Sequence, residues 1–419
     1  MTMQKTALKK RYVAAAVLGN ALEFYDFTTY GYFALQIGRT FFPSHDPFVS
    51  LMATLVTFGA GFIMRPVGSF VIGRYGDRAG RRPAMILSFV LMGGGVVALP
   101  LTPSYAAIGV AAPIIVVLIR LVQGFALGGE IGPTTAFMLE AAPAYSRGLY
   151  GSLQFASQGF ATLLAGIAGV VLAHLLSPLQ LDHFGWRIAL ALGALIVPIG
   201  LAMRRSIPET LHEAVARADS VASMTTTRII VLGLMTIMGS TTGVYVLGYM
   251  ATYAQSALHL SAMAGFSSVV TFGVVSVIAP CIAGVISDRE GRKPVMIWPR
   301  VALTFAVYPA FLAVTIWPSV LSLILATALL GLLTQSGGAV SLVAITEALP
   351  PGLRSMTMAV IYSVGVAAFG GTTQPIITEL MHITGSKLAP AWWLTGTTLI
   401  ALLAAILMAE TAPKKMRAR

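Results

Sequence analysis

Two charged decapeptides, GRYGDRAGRR from Gly73 to Arg82 and GVISDREGRK from Gly284 to Lys293, stand 211 residues apart in a chain that is otherwise nearly uncharged. One polar turn recurring at the same place in each half marks a duplication, with two units of one topology. Between the turns the chain is too apolar to present a surface to water. Of its 419 residues 57% are apolar and 10% charged, and the mean hydropathy is +0.83, where a soluble domain carries about 25% charged residues. At about 20 residues per bilayer crossing plus short turns, there is room for roughly twelve helices.

The apolar runs break at charged or Pro/Gly-rich punctuation. They predict spans over 12–37, 47–73, 83–100, 107–140, 147–175 and 187–204, then 228–256, 262–286, 294–315, 319–347, 354–381 and 389–410. The polar stretch 205–227 is the expected linker between an N-terminal six-helix bundle, 1–204, and a C-terminal one, 228–419. Of the 27 Lys and Arg residues, 21 fall in the termini and one set of alternate loops. The positive-inside rule then puts both termini in the cytoplasm. The basic start MTMQKTALKKRY runs straight into an apolar span and reads as a retained cytoplasmic segment of an inner or plasma membrane protein.

A second element repeats at a similar offset. EAAPAYSR (Glu140 to Arg147) and EALPPGLR (Glu347 to Arg354) share the pattern E-A-x-P-x-x-x-R. Each puts a carboxylate at the cytoplasmic end of one helix and an arginine at the start of the next, where paired charges can lock neighbouring helices. Anchoring of helix ends would account for either copy alone, but not for the shared spacing.

Together the two motifs resemble the major facilitator superfamily along essentially the whole chain. GNALEFYDF, MRPVG, RLVQGFALGGE, GWRI and RRSIPET are similar to its metabolite:proton symporter family, and FFPSHDPFVSLMATLVTFGAGFIMRPVGS with PAWWL to the citrate and tricarballylate symporters within it. The resemblance implies an all-α integral membrane fold: twelve transmembrane helices in two pseudo-symmetric six-helix bundles. It also implies one central site, alternating access, and a proton as coupling ion with no other cofactor. The expected substrate is a small organic acid, citrate or a related tricarboxylate. Shikimate, 2-oxoglutarate, a dicarboxylate or a betaine are the alternatives, followed by a non-transporting sensor. The family's gating role, carried over by position, falls on Asp77, Arg78 and Arg81 and on Asp288, Arg289 and Arg292. Glu140, Arg147, Glu347 and Arg354 join them from the second motif. Lys293 in place of arginine and the inserted Glu290 suggest that the second turn is the weaker lock.

Ionisable groups inside a bilayer cost about 2.5–3.5 kcal/mol each on insertion scales, so those that persist are functional candidates. Glu23 and Asp26, at i and i+3, share a face of the first helix, and Arg120 lies deep in the fourth. In the proton-coupled sugar porters of the same superfamily, such an arginine faces an aspartate of the first helix, and the resemblance implies that here it is Asp26 beside Tyr25. A fixed ion pair that only orders two helices is the structural alternative. Burial penalises the ionised carboxylate, and a guanidinium about 4 Å away offsets that by roughly 4 kcal/mol at an effective dielectric of 20. If a substrate carboxylate takes over the donors of Arg120, Asp26 loses its counter-charge and binds a proton. Glu23 competes for this role.

Arg65, before Pro66, reads as tying down a kinked helix, Arg300 as snorkelling to the nearby helix end, and Glu130 is undecided. Matching GNALEFYDF to GSTTGVYVL puts Gly243 against Glu23 and Val246 against Asp26, so the second half has lost these charges. Neutral hydrogen-bonding residues remain as substrate contacts: Gln123, Gln154 and Gln158 from the first half, and Tyr245, Tyr249, Gln335 and Ser336 from the second. Helix–helix polar contact is an equal reading for any one of them.

Other classes find no support. Basic residues lie at helix ends rather than along one face, so nucleic acid is not an expected partner. No GxxxxGK[ST] provides for ATP. Six scattered histidines and the single Cys281 form no metal or redox motif, and no nucleophilic or catalytic constellation indicates an enzyme. The expected partners are substrate, proton and lipid, with the monomer as the working unit.

Overall fold

A computed structural model of the chain describes residues 10–79, 81–128, 138, 142–143, 145–205, 225–350 and 354–412. The described residues are helical or in short connections, as their apolar runs require, because only internally hydrogen-bonded backbone is tolerated in hydrocarbon. The first six spanning segments are α1 (Lys10–Tyr32, continued by Ala34–Phe41), α2 (Pro47–Ala79), α3 (Arg81–Leu101), α4 (Ala111–Gly128), α5 (Arg147–Leu175) and α6 (Trp186–Arg205). The second six are α7 (Thr226–Gly248, continued by Met250–Ser256), α8 (Ala262–Glu290), α9 (Arg292–Ile316), α10 (Val320–Ala348), α11 (Arg354–Gly365, a π turn Val366–Gly370, then Gly371–Thr384) and α12 (Ala389–Leu407).

Burial is arranged as a bilayer demands. Large apolar side chains such as Ile63, Phe70, Trp298 and Phe305 face outward, while Asp26, Arg65, Arg120, Gln123 and Arg300 are buried between helices. Ser261 caps α8 and a Ser319/Ser322 capping box opens α10. Gly291, at φ 105°, makes the sharp turn from α8 into α9 that a side chain would strain.

Each half is held by close backbone approach at glycines. On α2 and α4, Gly61 faces Gly124, Gly68 faces the Phe125 carbonyl and Gly128 faces the Arg65 carbonyl. The halves meet along two lines. One joins α5 to α8, with Gly159 against Ser276, Gly166 against Val269 and Val270, and Gly169 against Phe266; the other joins α2 to α11 at Gly59 and Gly371. Small residues let such helices approach without hydrophobic drive from the lipid.

The helix breaks refine the alignment of the repeats. α1 breaks at Phe33 and α7 at Tyr249. Counting back from these breaks puts Glu23 against Gly239 and Asp26 against Thr242, one helical turn away from the match by sequence letters. A four-residue slip leaves the same helix face in place, so periodicity alone does not reveal it.

Candidate functional site: a buried two-arginine cluster

Where the two halves meet, α2 presents Phe58, Phe62 and Arg65 on one face at i, i+4 and i+7. α1 contributes Phe27 and Tyr30, and α7 contributes Tyr245. Their rings pack together: Phe27–Phe62 at 4.9 Å, Phe58–Phe62 at 5.2 Å and Phe62–Tyr245 at 5.2 Å between centroids, each edge to face. Two guanidiniums lie on this aromatic cluster. Arg65 stands 4.6 Å from the Phe27 centroid and 4.1 Å from Phe62. Arg120 stands 4.3 Å from Phe27 and 4.5 Å from Tyr30. Ring faces stabilise a desolvated cation by about 2 kcal/mol, enough to soften its burial but not to replace a counter-ion.

Both arginines keep donors that no hydrogen bond uses. All three nitrogens of Arg65, and Nε and Nη2 of Arg120, are buried without a hydrogen-bond partner. The Tyr245 hydroxyl lies beside Arg65. Unpaired buried donors are costly, and five guanidinium nitrogens stand in that state around one set of rings. Sequence reasoning gave Arg65 a structural role. The signal that could have found it is the Phe58, Phe62, Arg65 stripe facing inward from a helix that otherwise turns Ile63, Val67 and Phe70 outward.

Asp26 is fully buried, yet no nitrogen of Arg120 comes within ion-pairing distance of it. Gln123 stands between them, its Nε2 donating to Asp26 Oδ2 at 2.7 Å while its Oε1 accepts from Arg120 Nη1 at 2.8 Å. The expected direct pair is thus relayed by an amide of α4 one turn from Arg120. Asp26 Oδ1 is buried without a partner. Glu23 is buried in a separate crevice lined by Phe89, Met92, Gly93, Val96, Gly193 and Val197.

Several expected substrate contacts are engaged elsewhere. Tyr25 donates to the Ala189 carbonyl of α6 at 2.9 Å, and the Tyr249 hydroxyl accepts from Thr378 at 2.8 Å. Ser336 donates to the Leu332 carbonyl of its own helix and shares the outward face of Leu325, Leu329 and Leu332. These three do not line the cluster. Gln335 donates to Ser276 of α8 at 2.5 Å with its Oε1 unpartnered, the Gln154 carbonyl accepts from Asn20, and Gln158 lies beside Tyr362. Nor does Arg300 snorkel: it is buried and donates to Met296 O, Ser240 Oγ and Ser341 Oγ.

At the basic end of the bundle, Asp288 crosses between the halves. Its two oxygens accept from the first free backbone N–H groups of α5, Gly148 at 2.9 Å and Leu149 at 3.1 Å. A carboxylate at a helix N-terminus is favoured by the helix dipole. Arg292 Nη1 holds Asp288 at 2.8 Å, and its Nη2 and Nε hold Glu347 at 3.0 and 3.1 Å. Glu347 therefore pairs with the turn arginine and with Thr411. Arg78 and Arg289 are exposed, and Arg147 opens α5. Glu130 and Glu140, and the side chains of Asp77, Arg81 and Arg354, lie outside the described residues. At the opposite end Phe48 stacks on His382 at 3.9 Å and Gln36 Nε2 donates to Gln255 Oε1 at 3.4 Å.

The family model described as sugar (and other) transporter matches the chain twice, over residues 12–218 and 211–416. The chain is 35% identical to the citrate-proton symporter of Salmonella typhi, over 93% of this chain and 92% of that protein. To the citrate-proton symporter of Klebsiella pneumoniae it is 33% identical, over 92% and 88%. Its fold is that of the solved D-xylose-proton symporter, with a TM-score of 0.76 at 18% identity over 96% of this chain and 98% of that one.

Proposed function

The chain belongs to the sugar (and other) transporter family of the major facilitator superfamily, and from that premise we propose that it is a proton-coupled symporter importing a tricarboxylate such as citrate. The observation that carries this reading is the pair of buried guanidiniums, Arg65 and Arg120, with five unpartnered nitrogens around one aromatic cluster. Two arginines answer two carboxylates in the bidentate geometry guanidinium favours, and the Tyr245 hydroxyl serves a third polar group. The 35% identity to a citrate-proton symporter supports the same substrate.

Coupling follows from the Asp26–Gln123–Arg120 relay. A carboxylate that takes the Arg120 fork displaces Gln123 Oε1 and frees the amide to turn. Asp26 then loses its one donor and, fully buried, binds a proton. Substrate and proton load together, and the bundle, relieved of an unpaired charge, can rock. Residues 1–204 and 228–419 are the two moving halves and 205–227 their linker, in the inner membrane with both termini cytoplasmic. Asp288, Arg292 and Glu347 close the cytoplasmic end, a role the first copy's Asp77, Arg81 and Glu140 would share.

Uptake of labelled citrate into proteoliposomes, with and without an inwardly directed proton gradient (acid outside), tests the function. Citrate should accumulate only with the gradient, and citrate and tricarballylate should compete more strongly than shikimate or a betaine. Accumulation that ignores the gradient, or stronger competition by a monocarboxylate, overturns it. Asp26→Asn should abolish uphill accumulation while citrate counterflow, which needs no net proton movement, persists. If Glu23→Gln behaves that way instead, Glu23 carries the proton.

Asp288→Asn should loosen the cytoplasmic closure. Losing charge-assisted contacts worth about 1.5–3 kcal/mol shifts the open population by roughly ten- to a hundredfold. Alkylation of Ser152→Cys, in a Cys281→Ala background, by an impermeant thiol reagent on the cytoplasmic side should quicken accordingly.

A further inference from the structure

Away from the two-arginine cluster, α7, α9, α10 and α12 enclose a crevice lined by Gly239, Ser240, Arg300, Leu303, Leu333, Thr334, Thr398 and Ala401. Arg300 is buried there, and among the described residues no carboxylate pairs with it. Its contacts are neutral acceptors: the Met296 carbonyl at 2.6 Å, Ser240 Oγ at 3.0 Å and Ser341 Oγ at 2.7 Å. Both serines send their own protons to backbone carbonyls, Thr236 O and Gly337 O. Two further hydroxyls on the crevice wall, Thr334 Oγ1 and Thr398 Oγ1, are buried without any partner. A full positive charge therefore sits in the membrane interior beside two idle donors, with no negative charge among the described residues to meet it.

We propose that this crevice is a binding site for one small inorganic monoanion of halide size, which serves as the counter-ion of Arg300 and accepts hydrogen bonds from Thr334 and Thr398. Size limits the occupant. The space admits about one water-sized particle, so a tricarboxylate is excluded. Charge discriminates between the particles that fit, because water would satisfy the hydroxyls yet leave the cation unbalanced in a setting where that is expensive. The apolar wall of Leu303, Leu333 and Ala401 disfavours strongly hydrated ions and leaves chloride or bromide as the natural occupant.

The duplication supplies a contrast. Counting from the charged turns, Arg300 and Leu303 of this crevice correspond to Phe89 and Met92, which line the Glu23 crevice of the first half. Matching places in the two halves thus carry opposite charges, an acid among α1, α3 and α6 and a guanidinium among α7, α9 and α12. This inference does not depend on the identity of the transported solute.

The test is thermal unfolding of the purified full chain in detergent, titrated with sodium chloride or bromide against gluconate at constant ionic strength. A saturable rise in Tm with either halide and none with gluconate is expected. Arg300→Gln should remove the halide response. Thr398→Val, which keeps shape but removes one donor, should weaken the apparent halide affinity about tenfold without lowering Tm in gluconate. Coincident halide and gluconate curves in the parent protein overturn the proposal, as does a halide response surviving in Arg300→Gln. Should that variant fail to fold, crystals of the parent grown in bromide decide: anomalous density in the crevice supports the site, and its absence with bromide present overturns it.

Discussion

Arg65→Gln is expected to lower kcat/KM for citrate uptake by roughly a hundredfold, close to the loss from Arg120→Gln. In the proposed site each arginine would bring a charge-assisted fork to a desolvated carboxylate, and losing one such contact costs about 3 kcal/mol, or two powers of ten in rate. Arg65→Lys should rescue little, since a compact ammonium on Phe27 and Phe62 reproduces neither the fork nor the planar stacking. The measurement that separates substrate binding from helix support is the stabilisation of the purified protein by citrate. If Arg65 contacts substrate, Arg65→Gln loses most of the citrate-induced rise in Tm while its Tm without citrate stays near the parent's. If Arg65 only secures the helix before Pro66, the ligand-free Tm falls and the citrate increment survives. Removing a buried, unpaired cation leaves no stranded partner, so the ligand-free protein should if anything gain stability.

Gly124→Val should prevent assembly of the first half altogether. A Cβ at Gly124 would collide with the Gly61 carbonyl, and backbone on both sides leaves no flexible atom to give way. Separating α2 from α4 to admit a side chain carries Arg65 away from Arg120 and breaks the contacts at Gly68 and Gly128 as well. Overpacking usually costs about 1–3 kcal/mol when side chains can adjust, and here they cannot. The expected result is loss of the monodisperse peak on size-exclusion chromatography in detergent and loss of citrate uptake. Gly73→Val is the matched control, because nothing lies within 4 Å of a Cβ at Gly73. Equal yields of the two variants would show that α2 and α4 do not approach as closely as drawn.

The sequence carries the architecture because its signals are local or repeated. Twenty-residue apolar runs, alternation of basic loops, and two motifs recurring at nearly one offset follow from bilayer thickness and gene duplication, and neither needs distant contacts to be legible. The acid at Asp26 and the base at Arg120 stand out for the same reason, as charges where charge is costly. Arg65 and Arg300 stand out equally, yet their readings depended on what surrounds them. Both lie near loops in the linear chain, where snorkelling or anchoring explains an arginine well, and nothing in the neighbouring letters tells an inward from an outward rotation of the helix.

Hydrogen-bonding partners were the least legible. Tyr25, Tyr249 and Ser336 are of the right type to bind an oxyanion, but their hydroxyls close on Ala189, Thr378 and Leu332. Which partner a polar group meets in hydrocarbon, or whether it meets one at all, is a property of packed helices. The interposition of Gln123 between Asp26 and Arg120 is a matter of the same kind.

What the amino-acid order determined by itself is a duplicated, twelve-helix membrane protein with a few charges held against the cost of burial. Tertiary structure alone decided which of those charges converge, which are relayed, and which stand without a counter-ion. The physical reason is range: hydropathy and repetition act along the chain, whereas the way a guanidinium turns, and the groups of other helices that meet it within about 4 Å, are set by packing between segments far apart in sequence.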